Sequence, residues 1–376
     1  MNQQHQWSNA SQARLQATPA GVERFRKDRL GVSVHFGLYS IDGQKEWHQC
    51  LEKIPRDVYA RQLGRFNPHQ FNAQEWIDEF VEAGATAFMV TTKHHDGFCL
   101  FDSELTDFTS THAPFRRDLI AELAEACHRR KVALHLYYSL IDWHHPQMSS
   151  VHFEPAADFA AYCQYMLGQI EELCRNYGSI AGFLFDGWWP KAKATIDQDD
   201  IARQNDWPLT DLYDLIHTLQ PQAMITNNHH VLPLAGEDYQ VWEIDLPGEN
   251  TQGFNCTQIG QKPLMAWMTA TANGWSWQPE RTDYRSAIEI KRYFEACRRM
   301  GATIFQNLGP MGDGKLNPVE VALLREVGPM LCTGPDAVAE GIRGSEPAAI
   351  EDTHSLQGKP RRAARQPLAF EPEGIS

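Results

Sequence analysis

Short apolar runs alternate along this chain with amphipathic stretches of helical period, and the alternation recurs eight times. The strand-like runs span residues 30–35, 85–92, 132–138, 182–186, 223–226, 239–245, 263–269 and 303–307. Helical stretches at 73–83, 118–130, 158–177, 209–219 and 285–300 lie between them, and 318–330 follows the last run, opening on Pro318 in its first turn. In 158–177, Phe159, Tyr162, Met166, Ile170 and Cys174 recur at helical spacing and mark one buried face. Such repetition implies a parallel sheet, because each helix returns the chain to start the next strand in the same direction. Eight units within roughly 300 residues match a (β/α)8 barrel of the TIM type, usually about 250 residues plus insertions. An open, doubly wound sheet is the competing arrangement. The absence of a GxGxxG or P-loop after the first run weakens its nucleotide-binding form.

The runs end in chemistry. Lys93, His94, His95 and Asp96 follow the apolar 87–90 segment, and unpaired charges inside a buried strand would cost several kcal/mol. These residues therefore belong where the strand leaves the core, the end on which α/β enzymes build their sites. The other ends repeat the pattern: His35-Phe36-Gly37 with Glu46-Trp47-His48 beyond it, Tyr137-Tyr138-Ser139, Asp186-Gly187-Trp188-Trp189, Asn227-Asn228-His229-His230, and Glu243 with Asp245. A polar turn would explain any one of them. In a barrel all converge on one mouth.

Asp186 follows three apolar residues, and Gly187 lets the chain turn away at once. Asp at such a place is often a helix N-cap, but two tryptophans follow here instead of a helix. Glycoside chemistry needs a second acid. Glu243 is the preferred partner, with Asp245, Glu237, Asp238 and Glu46 as rivals and a plain loop salt bridge as the alternative role. His35, His94, His95 and His229 could donate to sugar hydroxyls, and Trp47, Trp188, Trp189 or Trp275 could pack on an apolar sugar face. A metal reading is weaker. Adjacent histidines in an extended segment point to opposite sides, and no HxH or HExxH occurs, so neither metal nor cofactor is expected. His144-His145 and His229-His230 would ordinarily be surface or loop pairs. The glycine-rich 309–314 segment lacks the Lys-Ser/Thr of a phosphate loop and reads as a structural turn.

Composition excludes some partners. A formal charge of −14 disfavours nucleic acid, and a neutral or cationic small substrate fits better. No apolar run approaches the roughly 20 residues of a membrane span. The polar first ten residues lack the pattern of a secretory signal, so a cytoplasmic location is expected. Eight scattered cysteines without CxxC spacing read as reduced core thiols. The expected organisation is an N-terminal extension at 1–20, a catalytic barrel at 21–335, and a tail at 336–376, partly disordered, in which periodicity fades and Pro, Gly, Ala and charge accumulate.

At these residues the chain resembles the α-L-fucosidases of glycoside hydrolase family 29. The resemblance is carried by His35-Phe36-Gly37-Leu38-Tyr39-Ser40, Glu46-Trp47, Thr91 through Phe98, Arg117-Asp118-Leu119, Leu136 through Ser139, Phe185-Asp186-Gly187 and Asn307 through Gly314, in family order. It implies a retaining exo-hydrolase removing terminal α-L-fucose from fucosylated glycans or small fucosides, with Asp186 as nucleophile. His35, Trp47, His94, His95 and Tyr137, with Glu46 beside them, match residues that hold the fucose ring, and Glu243 is placed as acid/base. A non-catalytic fucose-binding barrel and a metal-dependent hydrolase on the same fold are the alternatives. The chain departs from the family in three places. His229 stands where members often carry Arg, and Ala266-Trp267-Met268 replaces a Glu-containing segment. No C-terminal β-sandwich is evident. A fucosylated oligosaccharide is the expected partner, with neither nucleic acid nor membrane, and a homo-oligomer is possible in principle.

Overall fold

The computed structural model describes residues 15–148, 157–188, 207–272 and 274–332; Trp189, residues 1–14 of the expected extension and the expected 336–376 tail lie outside them. Eight strands run as β1 (Leu30–Val34), β2 (Ala87–Lys93), β3 (Ala133–Ser139), β4 (Gly182–Asp186), β5 (Met224–Asn227), β6 (Gln240–Glu243), β7 (Leu264–Thr269) and β8 (Thr303–Leu308). They form one sheet in the order β5-β4-β3-β2-β1-β8-β7-β6, every ladder parallel. The two end strands meet. Asp238 N–H donates to Ile225 O at 2.7 Å, Ile225 N–H donates to Asp238 Oδ2 at 2.9 Å, and the Thr226 hydroxyl donates to Tyr239 O at 2.8 Å. A side chain thus completes the seam where a regular ladder stops, and the sheet is a nearly closed (β/α)8 barrel, as the alternating pattern predicts.

Strand parity divides the core in two. Ala87, Met89, Tyr137, Leu184, Met224, Tyr239, Val241, Met265, Trp267 and Phe305 form the cluster inside the barrel. The intervening Val32, Val34, Phe88, Val90, Leu134, Leu136, Phe183 and Phe185 belong to the larger cluster between sheet and helices. Space inside is tight: a Cβ on Gly31 would stand 2.5 Å from the Phe305 ring. The helices start and stop where local chemistry directs. Asp118 caps Leu119–Arg130 through Ala121 N–H, and Ser286 with Glu289 makes a capping box for Ala287–Arg299. No helix among the described residues is long and apolar enough to cross a membrane.

A helix over Pro19–Lys27, begun by the Thr18 cap, starts inside the segment read as an extension and closes the barrel floor. Its Phe25 packs 4.6 Å from the Tyr239 ring, and Arg24 donates to Ala181 O at 2.6 Å. Nine residues with two buried positions carry too little periodicity to be seen in sequence. Short helical turns at His48–Leu51 and Arg56–Tyr59 were equally invisible.

The charged end of β2 is not all wall. Lys93 is fully buried and pairs with Asp142 Oδ2 at 3.1 Å over the Tyr138 ring. Asp96 accepts from the Tyr59 hydroxyl and from Phe98 N–H, at 3.0 and 3.1 Å. Both groups therefore hold loops together. Removing one member of a buried pair leaves the other charge without compensation. Lys93→Met is expected to lower unfolding free energy by about 3 kcal/mol or more, read as a fall in the urea midpoint. An unchanged midpoint would show that the pair is dispensable.

Candidate active site

Inward parity carries the two candidate acids to the mouth. Asp186 continues the inward series Gly182, Leu184, and Glu243 continues Tyr239, Val241. Gly187, at φ +89°, then turns the chain away from Asp186. The two acids share a donor: Asn228 Nδ2 lies 2.6 Å from Glu243 Oε2 and 3.4 Å from Asp186 Oδ1. Those oxygens are therefore no more than about 6 Å apart, short of the roughly 6.5–9.5 Å of inverting glycosidases and compatible with the about 5–5.5 Å of retaining ones. Tyr137 donates its hydroxyl to Asp186 Oδ2 at 2.8 Å. Asn228 was read in the sequence only as part of a polar strand end; its place after β5, beside both acids, is what gives it weight.

The two carboxyls are unequal. Glu243 is pushed up to about 8, first by burial, then by the charges of Asp186 and Glu46, while the Asn228 and Trp275 donors pull the other way. Its side chain keeps 18 % of its surface open, so the carboxyl sits at the edge of the mouth. Its backbone is gripped as well. Asn255 Oδ1 accepts from Glu243 N–H at 3.2 Å and its amide donates to Glu243 O at 2.8 Å, as a neighbouring strand would. The next residue, Ile244, has φ +58°, a strained position for a β-branched side chain. That turn ends the strand at Glu243 rather than at 245.

The rival acids are occupied elsewhere. Asp245 takes the Thr251 hydroxyl, Gln252 N–H and the Asn255 amide. Asp238 closes the barrel seam and pairs with His217 at 2.8 Å. Glu237 accepts from Tyr213, Leu234 N–H and His229. Glu46 accepts from Ser276 through backbone and hydroxyl, at 3.2 and 2.9 Å.

Aromatic and imidazole rings form the wall. His35 lies 5.0 Å from the Trp275 ring, 5.5 Å from His94 and 5.6 Å from Tyr137. Trp47 packs edge-on 5.0 Å from His95. The His94 and His95 rings approach to 4.1 Å, which corrects the expectation that they point to opposite sides. Thr92 is bulged out of the β2–β3 register, and a turn closed by Gly97 N–H to His94 O carries His95 out of the strand's line. Even so, no three metal-ligating side chains converge among the described residues.

Burial keeps these imidazoles neutral. His35 is lowered to about 4 and His95 to about 3, burial being the main cause in each, and His94 falls well below the ordinary value. A neutral imidazole offers one N–H and one lone pair. Ser139 donates to Ile141 O at 2.6 Å, so the proton in its 2.7 Å bond with His95 belongs to His95 Nδ1. Asn307 donates to Trp275 O at 2.7 Å, and its oxygen therefore accepts from His35 Nδ1 at 2.8 Å. The His35 ring consequently presents Nε2 as an acceptor, and His95 Nε2 lies 3.8 Å from Asp186 Oδ2.

His229 stands apart from this group. Its Nε2 donates to Glu237 at 3.0 Å and its Nδ1 accepts from Val231 N–H at 3.2 Å, so both ring nitrogens are engaged within the protein. Trp188 packs edge-on against it. His230, read in sequence as a surface or loop residue, instead turns inward with Nε2 3.7 Å from Glu243 Oε2. Its φ of +61° swings the side chain across, a reversal no periodicity reveals.

A (β/α)8 barrel that gathers two unequal carboxyls at its C-terminal mouth, under a wall of aromatic and neutral groups, defines a glycosidase-type barrel. The sequence model of the α-L-fucosidase family matches residues 1–333, and the chain belongs to that family. α-L-Fucosidase 1 of Arabidopsis thaliana is 28% identical over 289 residues, 70% of this chain. The chain spans about half (52%) of that relative's length. Among solved structures, α-L-fucosidase isoenzyme 1 from Paenibacillus thiaminolyticus superposes at TM-score 0.70 with 30% identity, over 83% of this chain and 75% of that one. A family 29 α-L-fucosidase from Bacteroides thetaiotaomicron, trapped as a covalent intermediate with 2-fluoro-fucosyl fluoride, does so at 0.70 with 25% identity, over 85% and 76%.

The inequality of the acids can be measured without substrate. Carbon-13 NMR of labelled glutamate carboxyls is expected to show a resonance titrating near pH 8 that disappears in Glu243→Gln, distinct from buried Glu320, also raised to about 8. Asn228 favours the charged form by donating to it, so Asn228→Ala should move the Glu243 midpoint upward. A downward move would contradict the hydrogen bond.

Proposed function

We propose that this protein is a retaining exo-α-L-fucosidase that releases terminal α-L-fucose from fucosylated glycans or small fucosides. The observation that carries the proposal is the single amide of Asn228 within reach of both carboxyls, one of which holds its proton at neutral pH. The family membership and the trapped intermediate of the Bacteroides relative support it. In the first step the Asp186 carboxylate attacks C1. The C1–O bond to the leaving group breaks, and the Glu243 proton passes to the departing oxygen. In the second step Glu243, now a carboxylate, takes a proton from water whose oxygen attacks C1. The bond to Asp186 breaks, α-L-fucose leaves, and both groups return to their starting forms. His35, His94, His95 and Glu46 receive the sugar hydroxyls. Trp47, Tyr137 and Trp275 enclose the ring and its methyl group. His229 contributes by steadying Glu237 and the loop that bears His230.

Asp186→Ala is expected to reduce turnover of 4-nitrophenyl α-L-fucoside by about 10⁴-fold or more, and azide should restore it as the β-fucosyl azide. Glu243→Ala should lose about 10²–10⁴-fold on poor leaving groups, with azide giving the α-anomer. Exchanged anomers would reverse the two roles, and full activity of Asp186→Ala would sink the mechanism.

The first step needs Glu243 protonated. Its raised value therefore places a basic limb on kcat/KM: activity is retained below and lost as pH rises through about 8. That limb should be absent from the residual activity of Glu243→Gln. A limb that persists there would assign it to another group.

A further inference from the structure

Phe254 is the sole aromatic among the exposed large hydrophobic side chains of the described residues, with 40% of its surface open. Isolated exposed apolar residues are ordinary. This one is tied to the catalytic machinery. Its ring lies 4.6 Å from that of His230, inclined by 44°, and His230 Nε2 lies 3.7 Å from Glu243 Oε2. Outward from Asp186 the order is thus Glu243, His230, Phe254.

The loop bearing Phe254 is braced from several sides. Asp245 holds Thr251 and Gln252, Asn250 accepts from Asn255 N–H at 2.9 Å, and Trp242 donates to Cys256 O at 2.8 Å. Asn255, next to Phe254, clamps the backbone of Glu243 through both its N–H and its carbonyl. The exposed ring therefore keeps a fixed position relative to the carboxyl. His230 reaches its place only through left-handed backbone, a strained conformation that persists where the surroundings enforce it.

We propose that Phe254, seated on His230, is the platform for the leaving-group sugar: a hexopyranose bonded to fucose lays its C–H face on this ring. The inference rests on Glu243 being the acid, because the acid must stand at the glycosidic oxygen and the leaving group must extend from there. A pyranose face of C–H bonds carries partial positive charge and complements the negative face of an aromatic ring. Flat stacking on an exposed ring selects for a ring-shaped leaving group without fixing its hydroxyl pattern, so the platform accepts more than one hexose.

Two substrates separate the platform from the chemistry. α-L-Fucosyl fluoride has a one-atom leaving group with nothing to stack, whereas disaccharides of fucose linked to galactose or N-acetylglucosamine present a full ring. Phe254→Ala should lower kcat/KM on at least one disaccharide by about 3- to 10-fold, mainly through KM, and leave the fluoride within twofold. Phe254→Trp should retain the disaccharide rate. Equal losses on fluoride and disaccharide, or no loss on any disaccharide the wild type cleaves, would overturn the platform alone. A wild type inert toward the fluoride would overturn the fucosidase reading and the platform with it.

Discussion

The period-two alternation of eight parallel strands closed on themselves is the constraint from which the rest of the molecule follows. Once the sheet closes, every second residue of each strand must enter a space already filled by rings such as Phe305, Tyr239 and Trp267. Only at the C-terminal ends does that space open. Ionisable residues of inward parity find room there, whereas His135, inside the barrel against Phe25 and Phe305, is kept neutral by burial. His35, Tyr137, Asp186 and Glu243 all obey this rule, although they come from four different strands and are spread over more than half the chain.

Within the mouth, electrostatics follow from what is missing around Glu243. Its neighbours are Asp186 and Glu46, which repel its charge, and the neutral donors Asn228 and Trp275, which offset that only in part. The cation that the sequence places nearby, Lys93, is turned into the wall and paired with Asp142. The histidines carry no charge either, because burial outweighs the nearby acids. Burial first, and the charges of Asp186 and Glu46 after it, let this carboxyl hold its proton at neutral pH, and the neutral rings suit an uncharged sugar.

The eight strands, the helices and the mouth-facing acids were legible because each rests on a repeated signal: period two, period 3.6, or polarity at a strand end. The predicted and observed helix at 209–219 agree to the residue, Leu209–Leu219. Legibility failed wherever a single backbone angle or a distant partner decided the outcome. Lys93 and Asp96 could not be told from wall residues, since their partners Asp142 and Tyr59 lie 49 and 37 residues away. The pairing of His94 with His95 turned on one bulge at Thr92, and the inward turn of His230 on one positive φ. The helix at Pro19–Lys27 packs under a floor built from strands far ahead of it.

Two of the strained positions lie beside one residue. Among the described residues five non-glycine positions have positive φ; Ile244 adjoins Glu243 in the chain, and His230 touches it in space. Neither strain serves the barrel, whose strands have already ended there. Asn255 holds the backbone beside Ile244, its amide replacing the missing strand next to Glu243. Strain enforced by a dedicated clamp is retained where position matters more than stability. Glu243, as the proposed proton donor, is such a place, and the loop that supplies the clamp also carries Phe254. In the proposed roles, the placement of the proton donor and the support of the leaving group are built from one segment, residues 244–255.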